Sequence, residues 1–333
     1  MYKKTKGLFG LYSDSRGGRK VMEKNIVQRM KLNEEALSWY YMEERRKRYE
    51  EAIPLKGISL RQFIHPLPYA MVMLDRKLSS KEEVETISDE RKLTHNPKIY
   101  VCTHIGGNDI QRVFESIKSH AYLFLGDPKG LYKDISGALL FCNGTINFET
   151  CNKIDRIIAY QRAVELLSNH GSLLIFPEGA WNITPNLPVM QLYMGAISMA
   201  KKTNADIVPV AIEQYDNKFM VSIGKNIQMK DVRDLSYDEL KIKVRDAMAT
   251  EKWKIIEKNP EKRENITITD DEFAQSVVEK CPYGFTVLDV EKTRYKDKDI
   301  AVEEDVFRPI DNIKVNCSNA FVYAKTSNAC KKR

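Results

Sequence analysis

From Pro97 onward the chain alternates short apolar runs with longer amphipathic stretches. Lys98-Ile-Tyr-Val-Cys-Thr103 reads as a buried strand and Asp109 to Ser119 as a helix. Ala121-Tyr-Leu-Phe-Leu125 and Gly144-Thr-Ile-Asn-Phe148 read as two further strands. Ile154 to Asn169 predicts a helix, with Ile157, Tyr160, Val164 and Leu167 on one face and Gly171 placed to cap its C-terminus. Ser172-Leu-Leu-Ile-Phe176 predicts another strand, followed by a helix near Leu192 to Lys202 and strands over Asp206 to Glu213 and Phe219 to Gly224. Strands alternating with helices predict an α/β fold, a mostly parallel central sheet flanked by helices on both faces.

The flanks read differently. Between Lys20 and Glu51 the pattern is helical, and Pro54 ends it. Leu37, Trp39, Tyr40 and Met42 lie close together there as a docking face. Ile58 to Asp75 mixes apolar residues with Pro66 and Pro68, a broken helix lying against the main domain or a lipid surface. Ser236 to Lys258 is helical, opened by the capping-box pattern Ser236-Tyr-Asp-Glu239. Past Pro260 the chain becomes more polar, with a short helix expected over Asp270 to Lys280 and a mobile Lys331-Lys-Arg333 end. These shifts divide the chain into an N-terminal helical, membrane-contacting segment (1–76), a central catalytic domain (77–259) and a C-terminal extension of unassigned role (260–333).

Composition narrows the class. With 333 residues, 43% hydrophobic and 30% charged, the chain can build a substantial core, which excludes disorder as its main theme. No apolar run approaches the roughly 18 residues of a membrane span. Met1-Tyr-Lys-Lys-Thr-Lys6 lacks the apolar core of a secretory signal, so a cytoplasmic location is expected. Six cysteines without a Cys-x-x-Cys pair argue against a disulfide framework and a structural zinc site. The net charge is +7, and residues 1–52 hold 13 Lys/Arg against 8 Asp/Glu, a bias that suits an anionic membrane surface or a solvated helix. Nucleic acid is not the expected partner, because the charges form no dense stripe with aromatics.

His104-Ile-Gly-Gly-Asn-Asp109 follows a predicted strand and opens a helix, where open α/β sheets place their ligands. On one continuous helix a five-residue separation would leave His and Asp about 140° apart, so a turn is required. Gly106 and Gly107 can supply it, and Asn108 can cap the helix with Gln111 as its partner. Asp109 then accepts a hydrogen bond from one imidazole nitrogen, leaving the other to take a proton from an acceptor group. The same pair also has a purely structural reading, as a strand end and a helix N-terminus. Phe176-Pro-Glu-Gly179 ends a second strand and places Glu178 where burial demands hydrogen bonds. Val208-Pro-Val-Ala-Ile212 lies on a third. The other histidines, His65, His95, His120 and His170, have no metal-ligand spacing.

Taken in order, these segments resemble the lysophospholipid and 1-acylglycerol-3-phosphate acyltransferase superfamily, whose His-x4-Asp motif matches His104 and Asp109. Its Phe-Pro-Glu-Gly motif matches Phe176 to Gly179, including Glu178 and Gly179. Its glycine-plus-strand motif is similar to Gly144 to Phe148, and its apolar-Pro-apolar strand to Val208 to Val210. The resemblance spans roughly Lys98 to Asn226. It implies transfer of a fatty acyl group from acyl-CoA or acyl carrier protein (acyl-ACP) to a lysolipid hydroxyl. His104 and Asp109 would be the catalytic pair, and backbone amides near Gly179 or Gly106 candidates for the oxyanion. Cofactors other than the acyl co-substrate, and metals, are not expected.

The resemblance breaks where the family places phosphate-binding cations: Thr150, Ala180-Trp181 and Tyr193 stand there by alignment. Either neighbouring cations such as Lys129, Lys153, Arg156 or Arg162 substitute, or the acceptor is not a phosphate monoester. In the second case Trp181 and Tyr193 offer flat faces to a sugar, an aminolipid or an acyl chain, and this account is favoured. Trp181 also has a reading as a plain packing residue. Gly144, Thr150, Lys153, Trp181, Tyr193, Glu178 and Gly179 are thus the expected substrate-binding set. The expected function is a phospholipid-type acyltransferase, peripheral on the inner face of the membrane. The alternatives are an acyltransferase for a non-phosphate acceptor and a non-catalytic acyl-carrier or lipid-binding module.

Overall fold

The computed structural model describes residues 28–29, 31–79, 81–133, 135–184, 187–259, 269–280 and 284–295. The stretch from 20 to 27 and the chain end at 331–333 lie outside the described residues. Helix α1 (Glu34–Glu50) opens at Asn33, whose side chain accepts the Ala36 amide at 2.8 Å. Two amphipathic helices follow, α2 (Ile58–Ile64) and α3 (Pro66–Ser79), with Pro66 opening the second. No helix among the described residues is long and apolar enough to cross a membrane.

The central body is a seven-stranded sheet with helices on both faces. In chain order its elements are β1 (Glu83–Asp89), β2 (Lys98–Cys102), α4 (Asp109–Ile117), β3 (Tyr122–Gly126), α5 (Ile135–Asn143), β4 (Thr145–Phe148) and α6 (Lys153–Ser168). Then come β5 (Leu173–Ile175), α7 (Gly195–Thr203), β6 (Asp206–Tyr215), β7 (Lys218–Ile223) and α8 (Tyr237–Glu257). Spatial order is β1-β7-β6-β2-β5-β3-β4. Strands β2 to β6 are mutually parallel, β7 runs antiparallel to β6, and β1 parallels β7. The sheet is therefore mixed and mostly parallel. Successive residues of β2 serve opposite faces: Ile99 and Val101 join the core beneath α6, α7 and α8, while Tyr100 and Cys102 join the core beneath α4.

Two elements escape the sequence pattern. Strand β1 is an edge strand with charged residues, and Glu85 pairs with Lys218 across the ladder at 2.6 Å, so it carries little apolar signal. Helix α5 is apolar nearly all round and shows no helical periodicity. The expected face of α6 is also displaced. Ile158, Ala159, Ala163, Leu166 and Leu167 are buried, whereas Ile157 is 39% exposed, because the two alanines let the helix lie close on the sheet. His170, not Gly171, adopts the left-handed conformation after α6 (φ 59°). The glycine is needed for proximity, since a Cβ there would overlap Leu166.

Helix α1 is tied to the loop after β4. Arg45 makes two hydrogen bonds to Asp155, at 3.0 and 2.6 Å, and Asp155 also accepts the Glu149 amide at 2.7 Å. Ser38 donates to the Glu149 carboxylate beside them. Asp155 is 1% exposed, so its charge depends on that guanidinium. Arg45→Met is expected to lower stability by about 3 kcal/mol, the usual result of stripping one partner from a buried pair, read as a lower urea midpoint.

Candidate active site

Parallel strands bring the C-terminal ends of β2, β5, β3 and β4 to one edge of the sheet, followed respectively by His104, Phe176-Pro-Glu-Gly179, Asp127 and Thr150. The first turn is built as the spacing requires. Gly106 and Gly107 both take left-handed φ, 83° and 61°, reversing the chain before α4. His104 Nδ1 lies 2.7 Å from Asp109 Oδ2, and the same oxygen accepts the amides of Ile105 and Gly106 at 2.9 and 3.0 Å. An Nδ1 facing a carboxylate carries the proton, which leaves Nε2 with its lone pair available. The expected Asn108–Gln111 cap does not form: Asn108 Nδ2 donates instead to Glu82 at 2.9 Å, drawn by a carboxylate that also pairs with Arg112 at 2.6 Å.

Phe176 stacks on the imidazole at 4.1 Å between centroids, and Trp181 meets it edge-on at 6.2 Å. The next residue but one after Phe176, Glu178, is fully buried. Its two oxygens accept the amides of His104 at 3.3 Å and Met190 at 2.9 Å, so it joins the two loops and presents no surface to a substrate. Burial pushes its carboxyl up to about 7, against the opposing pull of those amides and of the Lys252 and His104 charges. Gly179 has φ 74° and lies under the Tyr193 ring, where a Cβ would not fit. Its amide is committed to the Phe176 carbonyl at 3.1 Å, as the Gly106 amide is to Asp109, so neither of these two amides is an open oxyanion donor.

The remaining expected substrate residues separate. Gly144 precedes β4 and therefore sits at the opposite edge of the sheet from His104. Its φ of 121° and its approach to the Tyr122 ring, 2.7 Å from a would-be Cβ, give it a packing role in place of the expected substrate contact. Thr150 lies on the correct edge, but its amide and hydroxyl both go to Asp127, the amide at 2.9 Å. Lys153 is exposed at the start of α6. Arg156, one turn further on, donates to the Thr150 carbonyl, and its charge acts on the Tyr193 hydroxyl against the rise that burial causes there. Trp181 and Tyr193 are both taken up by C-terminal residues: Phe285 lies 5.5 Å from Trp181, Tyr295 lies 4.8 Å from Tyr193, and the Tyr193 hydroxyl donates to the Thr293 carbonyl at 2.9 Å. Phe176 is visible in the sequence as part of its motif. The contacts from 285–295 are not, because nothing in that segment is spaced like a motif. Among the described residues no group of three or more His, Cys, Asp or Glu is placed to hold a metal ion.

Geometry of this kind can move one proton: a held imidazole with an available Nε2, stacked on an aromatic ring and backed by a buried carboxylate. Glu178 gives the site a pH signature. Its folded pKa lies above that of an unfolded glutamate, so the folded chain holds the extra proton and is stabilised below about pH 4.5. That contribution fades as the pH rises towards 7. Glu178→Gln is expected to flatten the stability curve between pH 4.5 and 7, measured by urea unfolding; a slope equal to that of the parent would refute the assignment.

Residues 80–213 match a family model described as Acyltransferase. Among solved structures, the 1-acyl-sn-glycerophosphate (LPA) acyltransferase PlsC from Thermotoga maritima is similar, with a TM-score of 0.40 and 15% identity. The similarity covers 73% of this chain and 88% of that one. A search of curated proteins finds no match.

Proposed function

We propose that this chain, whose residues 80–213 form a domain of the acyltransferase superfamily, transfers a fatty acyl group from an acyl thioester to the hydroxyl of a lysophospholipid or related amphiphile at a membrane surface. The donor is acyl-CoA or acyl carrier protein. The observation that carries this reading is the 2.7 Å His104–Asp109 pair at the strand edge, with Nε2 available to a substrate. Nε2 accepts the acceptor's hydroxyl proton as its oxygen bonds to the thioester carbonyl. The C–S bond of the resulting tetrahedral species then breaks, and the imidazolium returns the proton to the departing thiolate. Asp109 holds the ring and offsets its transient charge. For the oxyanion, the loop still offers the amides of Gly107 and Asn108, which have no acceptor among the described residues.

A lipid acceptor fits the walls. Phe176 stacks on His104 and Trp181 meets it edge-on. Arg156, beside Thr150 and Tyr193, lies where an anionic head group would need a cation, although the family positions themselves carry none. The expected non-phosphate acceptor, a sugar, an aminoacyl or aminolipid group or a second acyl chain against Trp181 or Tyr193, has less support, since Phe285 meets the first ring and Tyr295 the second. Thiol release from acyl-CoA, followed colorimetrically with a lysolipid acceptor, is expected to depend on that acceptor. His104→Ala should reduce it by at least about 10³-fold and Asp109→Asn by about 10²-fold or more. Acceptor-independent binding with no thiol release in the parent would favour a lipid-binding module instead.

Membrane contact is assigned to α2 and α3. Leu60 (61%), Phe63 (82%), Leu67 (66%), Leu74 (56%) and Leu78 (77%) are exposed along one continuous stripe, with Ile64 and Met71 between them. That spacing keeps an apolar face outward on both helices, which suits insertion into the head-group boundary of a bilayer. Sedimentation with phosphatidylcholine/phosphatidylglycerol vesicles should capture the parent, and Phe63→Asp combined with Leu67→Asp should weaken capture by about tenfold or more. Equal capture of both would remove these helices from the contact.

A further inference from the structure

The C-terminal segment lies outside the matched acyltransferase region, yet it meets the candidate site directly. Helix α9 (Asp270–Glu279) and helix α10 (Val287–Thr293) bury Ala274, Val277, Val278 and Val290 against Ala180, Ile183 and Met190, on the loop that follows Glu178. The packing continues onto the reacting group. Phe285 contacts Trp181, and Trp181 contacts His104. Thr293 and Tyr295 hold Tyr193, and Lys280 lies 3.8 Å from where a Cβ of Gly107 would stand. Under this cover the His104 side chain is only 14% exposed.

We propose that α9 and α10 form a gating cap on the acceptor side of the crevice, one that shields His104 until it lifts and through which Phe285 and Tyr295 screen the acceptor. Three observations favour a movable cap over a fixed buttress. Both helices satisfy their own N-terminal amides with capping boxes, Thr269 with Glu272 and Thr286 with Asp289, so lifting them strands no helix end. The apolar side chains they bury fully are small, three valines and an alanine, with Phe273 and Val287 only partly buried beside them. The aromatic contacts nearest the site stay partly wet, Phe285 being 36% and Tyr193 41% exposed. Segments with these properties open at low free-energy cost. Opening bares Trp181 and Tyr193, an apolar mouth leading to Arg156, which suits an amphiphile. Closing keeps water from an acyl thioester beside an active base. Only this last role rests on the proposed acyl transfer; the shielding of His104 does not.

The test is carbethoxylation of the full chain with diethyl pyrocarbonate, read residue by residue by peptide mass spectrometry, with the exposed His95 and His170 as internal standards. His104 should react at least about tenfold more slowly than either standard in the parent. In Val290→Asp, which places a charge in the cap's apolar contact, it should react about tenfold faster than in the parent. Should Val290→Asp fail to fold, Phe285→Ala combined with Tyr295→Ala, at partly exposed positions, gives the same reading. A His104 as reactive as His95 in the parent, or one whose rate no cap variant changes, overturns the proposal. Acyl-CoA hydrolysis without acceptor is measured in parallel and should rise in the cap variants relative to transfer. If His104 becomes reactive but neither chain releases thiol, the acyl-transfer reading fails and the cap stands.

Discussion

One carboxylate oxygen holds the candidate site together. Asp109 Oδ2 receives the imidazole of His104 and the amides of Ile105 and Gly106, three donors drawn from a single reversal of the chain. Asp109 is fully buried, and its hydrogen bonds all fall on Oδ2, Oδ1 being buried with no partner among the described residues, so the site depends on that one oxygen. The atom that closes the turn is therefore the atom that orients the ring. Neither glycine of the turn could carry a side chain without strain, since both lie in the left-handed region. Turn geometry and imidazole orientation form one physical unit, which is why the five-residue spacing has chemical meaning here and would have none on a continuous helix.

A second buried carboxylate and a chain of ion pairs connect that unit to the rest of the fold. Glu178 bridges the β2 and β5 loops through the His104 and Met190 amides. On the other side, α4 carries Asp109 at its start and Arg112 one turn later. Arg112 pairs with Glu82 and Glu115, and Glu115 pairs with Arg76 of α3 at 2.9 Å. Tyr69 of α3 also donates to the Glu115 carbonyl at 3.2 Å. The helix that carries the exposed apolar stripe is thus bonded to the helix that bears the carboxylate. The stripe on α3 and the imidazole after β2 are held in one frame by side chains that are mostly buried.

Legibility in the sequence followed the strength of burial. Strands β2, β3 and β5 bury both faces and stand out as apolar runs, and the capping box at Ser236 fixes the start of α8. The His104–Asp109 contact could be reasoned out because glycines at 106 and 107 left one plausible path between the residues. The edge strand β1 could not, since its residues are chosen to discourage pairing with other chains as much as to fill a core. Gly144 packs on Tyr122 and does not face the crevice, because a motif match says nothing about which end of a strand lies there; the parallel register decides that. The contacts of Phe285, Thr293 and Tyr295 reach residues about a hundred positions away, and no local pattern encodes them.

The same contacts bear on the absent cations. Thr150, Trp181 and Tyr193 stand where the family this chain resembles places positive charge. Two of the three lie beneath the C-terminal segment, against Phe285, Thr293 and Tyr295. An ammonium or guanidinium at position 181, against Phe285, would lose hydration whenever that segment is seated unless it were paired. Aromatic rings remove that cost and add ring contacts that hold the segment in place. The third position, Thr150, is uncovered by the segment but has Arg156 at its carbonyl, so a positive charge survives there on a neighbouring helix. Two of these three positions thus carry aromatic rings that the C-terminal segment packs against, and Arg156 donates to the carbonyl of the third.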